Sequence, residues 1–225
     1  DQYNLENIVN DRINILTNYQ NKEYAKKYKD IVDKVISIEK NIGDKNQEFS
    51  KSVAKYLFKL MAYKDEYEVA RLYSDGQFKE KLNSAFDGNL KIKFHLAPPL
   101  FSPRDINTGK ARKITLGSWM LPVFSIISKF KFLRGSIIDP FGKTKERKME
   151  RYLIKQYIND LDKILDKVNK HNLSLAIQIA SIPEMIRGFG HVKEDNINNA
   201  QQNREELLEK WNSKEKINIE SVAAE

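Results

Sequence analysis

The sequence predicts a predominantly α-helical α+β fold carrying one small antiparallel β-hairpin. Apolar residues recur at helical spacing over most of the 225 residues. Six prolines and nine glycines are few for a chain this long, which favours helices over a β-sandwich. One stretch breaks the pattern, "LKIKFHL" at 90–96, where apolar and polar residues alternate.

The elements follow in order. Leu5, Ile8, Val9, Ile13, Leu16 and Tyr19 mark a first helix, and Tyr24, Tyr28, Ile31, Val32, Val35 and Ile38 a second. Gly43 is a natural stop. Asp44, with Gln47 three residues on, is expected to cap the next helix. That helix buries Phe49, Val53, Leu57, Leu60 and Met61 and is expected to run on to about Tyr73, where "SDG" ends it. In the alternating stretch Leu90, Ile92, Phe94 and Leu96 face inward, with Lys91, Lys93 and His95 outward. Ile114 and Leu116 supply the partner strand. The connection "APPLFSPRDINTGKAR" has three prolines and an Asn-Thr-Gly turn, and a loop of that length is either functional or a docking arm.

From Thr144 a long amphipathic helix is predicted, with Met149, Tyr152, Leu153, Tyr157, Leu161, Ile164, Leu165 and Val168 on one face. The apolar run Leu173–Ala180 follows. In "SIPE", Ser181 and Glu184 read as a capping box with Pro183 in the first turn of a short new helix. The tail from Asn196 to Trp211 is charged and helical, with fraying expected beyond it. The expected organisation is an N-terminal helical segment at 1–56, a core domain at 57–197 with the hairpin near 90–116, and a charged helical tail at 198–225.

Composition narrows the chemistry. The absence of cysteine excludes disulfides, thiolate zinc sites, cysteine nucleophiles and cysteine-ligated iron–sulfur clusters within this chain, and fits a cytoplasmic location. The chain opens on Asp1 with no initiator Met and no basic-then-apolar leader, so it is expected to be a piece of a longer protein. "WMLPVFSII" is too short to cross a bilayer, so no membrane association is expected. Net charge is +8. Between Arg104 and Arg134 seven basic residues face a single acid, Asp105. Such a patch suits RNA, DNA, an acidic protein face or a phosphate-bearing ligand.

Tests for a catalytic set come out negative. "RGFGHVK" (Arg187–Lys193) has neither the Rossmann nor the P-loop spacing, and Gly188 reads as a helix terminator. Arg187 and His191 remain candidates for interface or anion contacts. His95, His171 and His191 lack metal-ligand spacing, so no metal site is expected; His171 is expected at a helix end that favours a cation. In "YKDEYEVARLY" the carboxylates Asp65, Glu66 and Glu68 read as structural, with Glu68 and Arg71 forming an intrahelical pair. No G-x-S-x-G occurs. The aromatics Trp119, Phe124, Phe130 and Phe132 have spacings that suit a buried helix, and no RNA- or DNA-binding motif accompanies them. Catalytic residues are therefore none.

Several ordered blocks carry a resemblance. "LFKLMAYKDEYEVARLY" (Leu57–Tyr73), "KFHLAPP", "GSWMLP", "LRGSIIDPFG" (Leu133–Gly142), "ERKMER" (Glu146–Arg151) and "IPEMIRGFGHVK" (Ile182–Lys193) closely resemble the C-terminal region of single-chain indolepyruvate ferredoxin oxidoreductases. The resemblance implies a thiamine-diphosphate enzyme that decarboxylates an aryl or branched 2-oxoacid, passes the acyl group to coenzyme A and reduces ferredoxin through iron–sulfur clusters. This chain lacks the Gly-Asp-Gly thiamine-diphosphate motif; Ser74-Asp75-Gly76 is a partial look-alike at a helix end. It also lacks the cluster cysteines. The resemblance therefore implies the accessory C-terminal domain, itself non-catalytic and without bound cofactor, packing on the catalytic domains of a homo-oligomeric enzyme. Its basic segment Arg104–Arg134, with Arg104, Lys110, Arg112 and Lys113 as the candidate contacts, is expected to meet ferredoxin or the phosphates of coenzyme A. The competing expectation is a free-standing basic helical module that binds nucleic acid or an acidic protein.

Overall fold

The computed structural model describes residues 4–86, 88, 91–96 and 114–222, with side chains to 213. Nine α-helices lie among these residues: α1 (Leu5–Tyr19), α2 (Lys22–Ile42), α3 (Glu48–Met61), α4 (Glu66–Ser74), α5 (Gln77–Ala85), α6 (Met120–Lys129), α7 (Lys145–Leu165), α8 (Leu173–Ser181) and α9 (His191–Val222). Two strands, β1 (Phe94–Leu96) and β2 (Ile114–Leu116), pair antiparallel. The fold is α+β and predominantly helical, as the periodicity predicts. The chain divides into two compact units, one comprising 1–16, 22–61 and 153–225, the other 17–21 and 62–152.

The first unit is all helix. Its core includes Leu16, Tyr28, Val32, Val35, Phe49, Val53, Leu57, Leu161, Ile164 and Ile179. Burial of so much apolar surface supplies the main driving force. Buried and half-buried tyrosines in addition donate to helix carbonyls. Tyr24 donates to Met61 O at the end of α3 (3.0 Å), Tyr28 to Ala54 O (3.0 Å), and Tyr157 to Ala180 O near the end of α8 (2.8 Å). The last carbonyls of a helix have no partner within it, so the donors to Met61 and Ala180 close an accounting gap, whereas Tyr28 adds a second bond to a mid-helix carbonyl.

The start of α3 departs from expectation. Asp44 does not cap it; its carboxylate accepts from Asn46 N (3.3 Å) in a local turn. Glu39, buried on α2, does so instead. It accepts from Phe49 N (2.8 Å), Ser50 N (2.9 Å) and the Ser50 hydroxyl. A carboxylate there also faces the positive end of the helix macrodipole. Gly43 does end α2, with φ +82° and its N–H bonded to Lys40 O (3.0 Å).

The "SIPE" expectation is corrected as well. Residues Ile182–Met185 form a 3-10 turn that continues straight from α8, and Ser181 keeps a helical backbone. An N-cap needs extended backbone there, so no capping box forms. The Ser181 hydroxyl donates to Ser52 Oγ (3.4 Å), and the Glu184 carboxylate goes to Arg187 (3.1 Å). That turn stops at Ile186, and Gly188 (φ +90°) and Gly190 (φ +57°) then redirect the chain into α9. His171 is exposed and sits just before α8 begins, at the positive end of that helix rather than at a C-terminus. The backbone of α9 stays helical past Trp211 to Val222, where fraying was expected.

The second unit contains α4, α5, α6 and the hairpin. Phe94, Met120, Phe124 and Ala70 form its core, flanked by Tyr73 and Phe78. The Tyr73 ring meets Phe78 and Phe94 edge-on (5.0 Å each) and stacks on Phe124 (5.3 Å). The strand register pairs Phe94 with Leu116, His95 with Thr115 and Leu96 with Ile114, so Phe94 points inward and His95 outward as predicted. Leu90 lies outside the described residues. The stretch 44–73 is two helices, not one. The break falls at 62–65, and Asp65 caps α4 by accepting from Glu68 N (2.9 Å). Helix α5 carries no buried residue and gave no periodic signal.

Candidate functional site

A dense ionic network occupies the second unit. Asp65, besides capping α4, grips Arg134 in two parallel bonds, Nε–Oδ2 (2.5 Å) and Nη2–Oδ1 (2.8 Å). The remaining nitrogen of Arg134, Nη1, donates to Tyr19 O (2.5 Å) and Gln20 Oε1 (2.8 Å). Its guanidinium lies 3.6 Å from the Tyr19 ring centroid. Burial, the largest single influence, opposes the charge on Arg134, but Asp65 together with Tyr19 and Tyr63 outweighs it and holds the group above its ordinary pKa. A planar fork that satisfies a carboxylate, a carbonyl, an amide and a ring face is a role lysine cannot take.

Next to it in sequence, Asp139 closes the loop 134–142. It accepts from Gly135 N (2.7 Å), Phe141 N (3.0 Å) and the Tyr67 hydroxyl (3.0 Å). Burial, followed by the Asp139 carboxylate, pushes the Tyr67 phenol well above its usual pKa. Gly135 takes φ +76°, a conformation that disfavours any side chain. On α7, Arg147 bonds Glu150 (2.6 Å) and Glu66 (3.3 Å), and Arg151 donates to Gly142 O (2.6 Å). Glu68 and Arg71 pair as the sequence predicts, at 2.8 and 2.9 Å.

Each carboxylate of "YKDEYEVARLY" is thus bonded to an arginine. Burial raises the Glu66 pKa, while Arg147 opposes that shift. An acid–base pair needs a group within reach of substrate and poised near the working pH, and these groups are spent on one another. The network is a clamp. What it clamps is an apolar loop: Ile137 is 92% exposed and Ile138 71%, and Phe132 in the 3-10 turn just before it is exposed as well. Trp119, Ile126 and Phe130 are exposed too, so the buried helix expected from their spacing is realised only at Met120 and Phe124. The short α6 has one face to spend on its core, and the other apolar residues lie beyond that face. Tyr152, expected on the apolar face of α7, is also exposed.

The six sequence-derived site candidates fall unevenly. Arg104, Lys110, Arg112 and Lys113 lie outside the described residues. Arg187 and His191 belong to the first unit and are both exposed. Arg187 bonds Glu184 through its carbonyl (2.9 Å, from Nε) and its carboxylate (3.1 Å, from Nη2). Lys59, which sequence reasoning missed, reaches the same turn and donates to Pro183 O (2.7 Å) and Glu184 O (3.4 Å). His191 opens α9. No group of three or more metal-ligating side chains converges among the described residues. None of the helices they form is long and apolar enough to cross a membrane.

The chain belongs to a family of unknown function (DUF6537), whose model matches residues 5–206. No curated protein matches the chain. No solved structure matches it.

Proposed function

From the resembling sequence blocks, we propose that the chain is the non-catalytic C-terminal accessory domain of an indolepyruvate-type ferredoxin oxidoreductase. The whole enzyme would be cytoplasmic and would oxidise a 2-oxoacid with coenzyme A and ferredoxin, its thiamine diphosphate and iron–sulfur clusters held elsewhere. The observation that carries this reading is the clamp. Three of the resembling blocks, Leu57–Tyr73, Leu133–Gly142 and Glu146–Arg151, meet in it through Asp65, Arg134, Asp139, Glu66 and Arg147. Rigidly held, exposed Ile137 and Ile138 are the kind of preorganised apolar anchor that protein interfaces bury. The role is adhesion to the catalytic domains. Ferredoxin and coenzyme A remain the partners proposed for the basic residues 104–113.

The test uses the full-length enzyme. Coding sequence upstream of Asp1 should specify thiamine-diphosphate and ferredoxin-oxidoreductase domains. In that enzyme, I137D and I138D together should loosen the domain, seen as faster limited proteolysis at its boundary with its own fold retained. An upstream sequence without those domains overturns the reading, and so does an unchanged proteolysis rate.

A further inference from the structure

The second unit carries the whole net charge of the chain. Residues 17–21 and 62–152 hold eighteen lysines and arginines against ten acids, which is the full +8, while the other unit has twenty-one of each sign. Setting aside 104–113 leaves fourteen against nine, so the excess is not confined to that segment. Five of the acids, Asp65, Glu66, Glu68, Asp75 and Glu150, bond only three arginines, Arg134, Arg147 and Arg71. The surface left to solvent is therefore rich in lysine. Lys129 and Lys143 are exposed, and neither pairs with an acid among the described residues. The same unit exposes apolar area along one stretch of chain. In α6, Met120, Phe124 and Ile127 turn to the core. Trp119, Ile126 and Phe130 recur after seven and four residues, close to whole helical turns, and line the opposite side. Trp119 is 62% exposed, and a β-carbon on Gly117 would come within 3.3 Å of its ring, so the indole lies close against that glycine. The 3-10 turn Phe130–Leu133 continues the apolar stretch through Phe132, 65% exposed, whose ring centroid is 5.9 Å from that of Phe130. The clamped loop with Ile137 and Ile138 follows directly.

We infer that the stretch 119–143 docks a protein surface with an apolar centre and an acidic edge. Trp119, Ile126, Phe130 and Phe132 are buried in that contact alongside the two isoleucines, and Lys129 and Lys143 pair with carboxylates of the partner. The inference rests on the accessory-domain reading, in which the partner is the catalytic body of the same enzyme, and adds the chemistry which that body presents. Charge selects against a second copy, because two units of +8 repel each other. The lysine arrangement selects against nucleic acid, where cations tracking the phosphates accompany the stacked bases. Lys131, the cation between Phe130 and Phe132, instead turns inward and donates to Asn18 O (2.5 Å). Preorganisation selects against a bilayer. A fluid apolar phase adapts to any shape and gains nothing from anchors held in place, whereas a protein surface does. An aromatic centre with a charged edge that matches its partner in sign is the composition of a protein interface.

The experiment treats the full-length enzyme with a carbodiimide, which joins a lysine amine to a carboxylate only where the two touch, and locates the links by mass spectrometry. Lys129 and Lys143 should link to aspartates or glutamates of the catalytic domains. Those links should fall several-fold between about 0.1 and about 1 M salt, as the screening length drops from about 10 to about 3 Å. Limited proteolysis at the domain boundary gives a second readout. W119S with F130S should speed cleavage several-fold at either salt concentration, whereas K129E with K143E should speed it at low salt only. K155E, an exposed change in the other unit, should leave the rate as it is. Every position changed is exposed, so the fold is not at risk. If neither lysine forms such a link while I137D and I138D still loosen the domain, this inference falls and the accessory-domain reading stands. An unchanged rate in W119S with F130S has the same meaning. Upstream sequence without the catalytic domains overturns that reading, and this inference with it. Links only to a second copy of the chain would assign the face to another occupant and sink the inference. So would binding to single-stranded RNA, or to vesicles of phosphatidylcholine and phosphatidylserine, that W119S with F130S abolishes.

Discussion

Removing the Asp139 carboxylate should undo the apolar loop more than any other single change there. Asp139 is buried, and its two oxygens serve three donors: Gly135 N–H on Oδ2, and Phe141 N–H with the Tyr67 hydroxyl on Oδ1. A buried donor left without an acceptor costs about 1–3 kcal/mol. Gly135 is exposed and can turn to water, whereas Phe141 is half-buried and Tyr67 buried. D139A should therefore cost about 3–5 kcal/mol, weighting the latter two donors most. D139N keeps one acceptor oxygen. Placed at Oδ1 it serves two donors and turns its amide against Gly135 N–H, for a loss of about 1–2 kcal/mol. Y67F deletes one bond but leaves that oxygen bonded to Phe141, so about 1 kcal/mol is expected. The chain has two units and need not unfold in one step, so urea unfolding by circular dichroism should be paired with hydrogen exchange at 133–142. Exchange there should accelerate in the order D139A, D139N, Y67F. The reasoning fails if D139A stays within about 0.5 kcal/mol of wild type, or if Y67F costs more than D139A.

Two further outcomes follow from the buried polar groups. E39A strips the cap from α3 and strands Phe49 N–H, Ser50 N–H and the Ser50 hydroxyl, so urea midpoints should fall by the equivalent of about 2–4 kcal/mol, against about 1 kcal/mol for S50A. Burial raises the phenol pKa of Tyr28, Tyr63, Tyr67 and Tyr157. An acid whose folded pKa is raised adds stability that is fully present below its unfolded pKa of about 10, and that stability is lost as pH rises through the folded value. Absorbance at 295 nm should accordingly show these four tyrosines ionising only together with loss of helicity. Smooth ionisation of all ten tyrosines before the helix signal moves would contradict this.

The periodic signals were legible wherever one helix face meets a core. Tyr28, Val32 and Val35 in α2, Phe49, Val53 and Leu57 in α3, and Leu161 and Ile164 in α7 are buried as their spacing predicts. Alternation at Ile92 to Leu96 was legible for the same reason, since a strand has only two faces. Capping was not. The Asp44 and Ser181 readings rest on local grammar, and in both cases a residue distant in sequence, or a continuing helix, supplied the partner instead. Glu39 lies nine residues before α3, at no spacing that any capping rule names. The cationic turn was half legible: Arg187 stood out beside two glycines, but Lys59 is one of 39 basic residues and looks like any other surface position on an amphipathic helix.

The placement of the resembling blocks also says what kind of information they hold. In a chain read for enzymatic function, "YKDEYEVARLY" attracts attention as a cluster of acids and aromatics. Here those acids meet arginines from blocks 69 and 81 residues away, Asp65 with Arg134 and Glu66 with Arg147. Breaking such a buried pair by removing one partner costs about 3–5 kcal/mol, because the survivor is left charged and unpaired. Every member of the clamp is therefore constrained by the others, without any substrate being involved. Ile137 and Ile138 are under no such constraint from the fold, since both sit largely in solvent and contribute little burial to it. Two adjacent exposed isoleucines on a loop fixed from beneath gain nothing for the isolated chain. A surface that covers them would account for their presence, which is why adhesion is the function proposed for this unit.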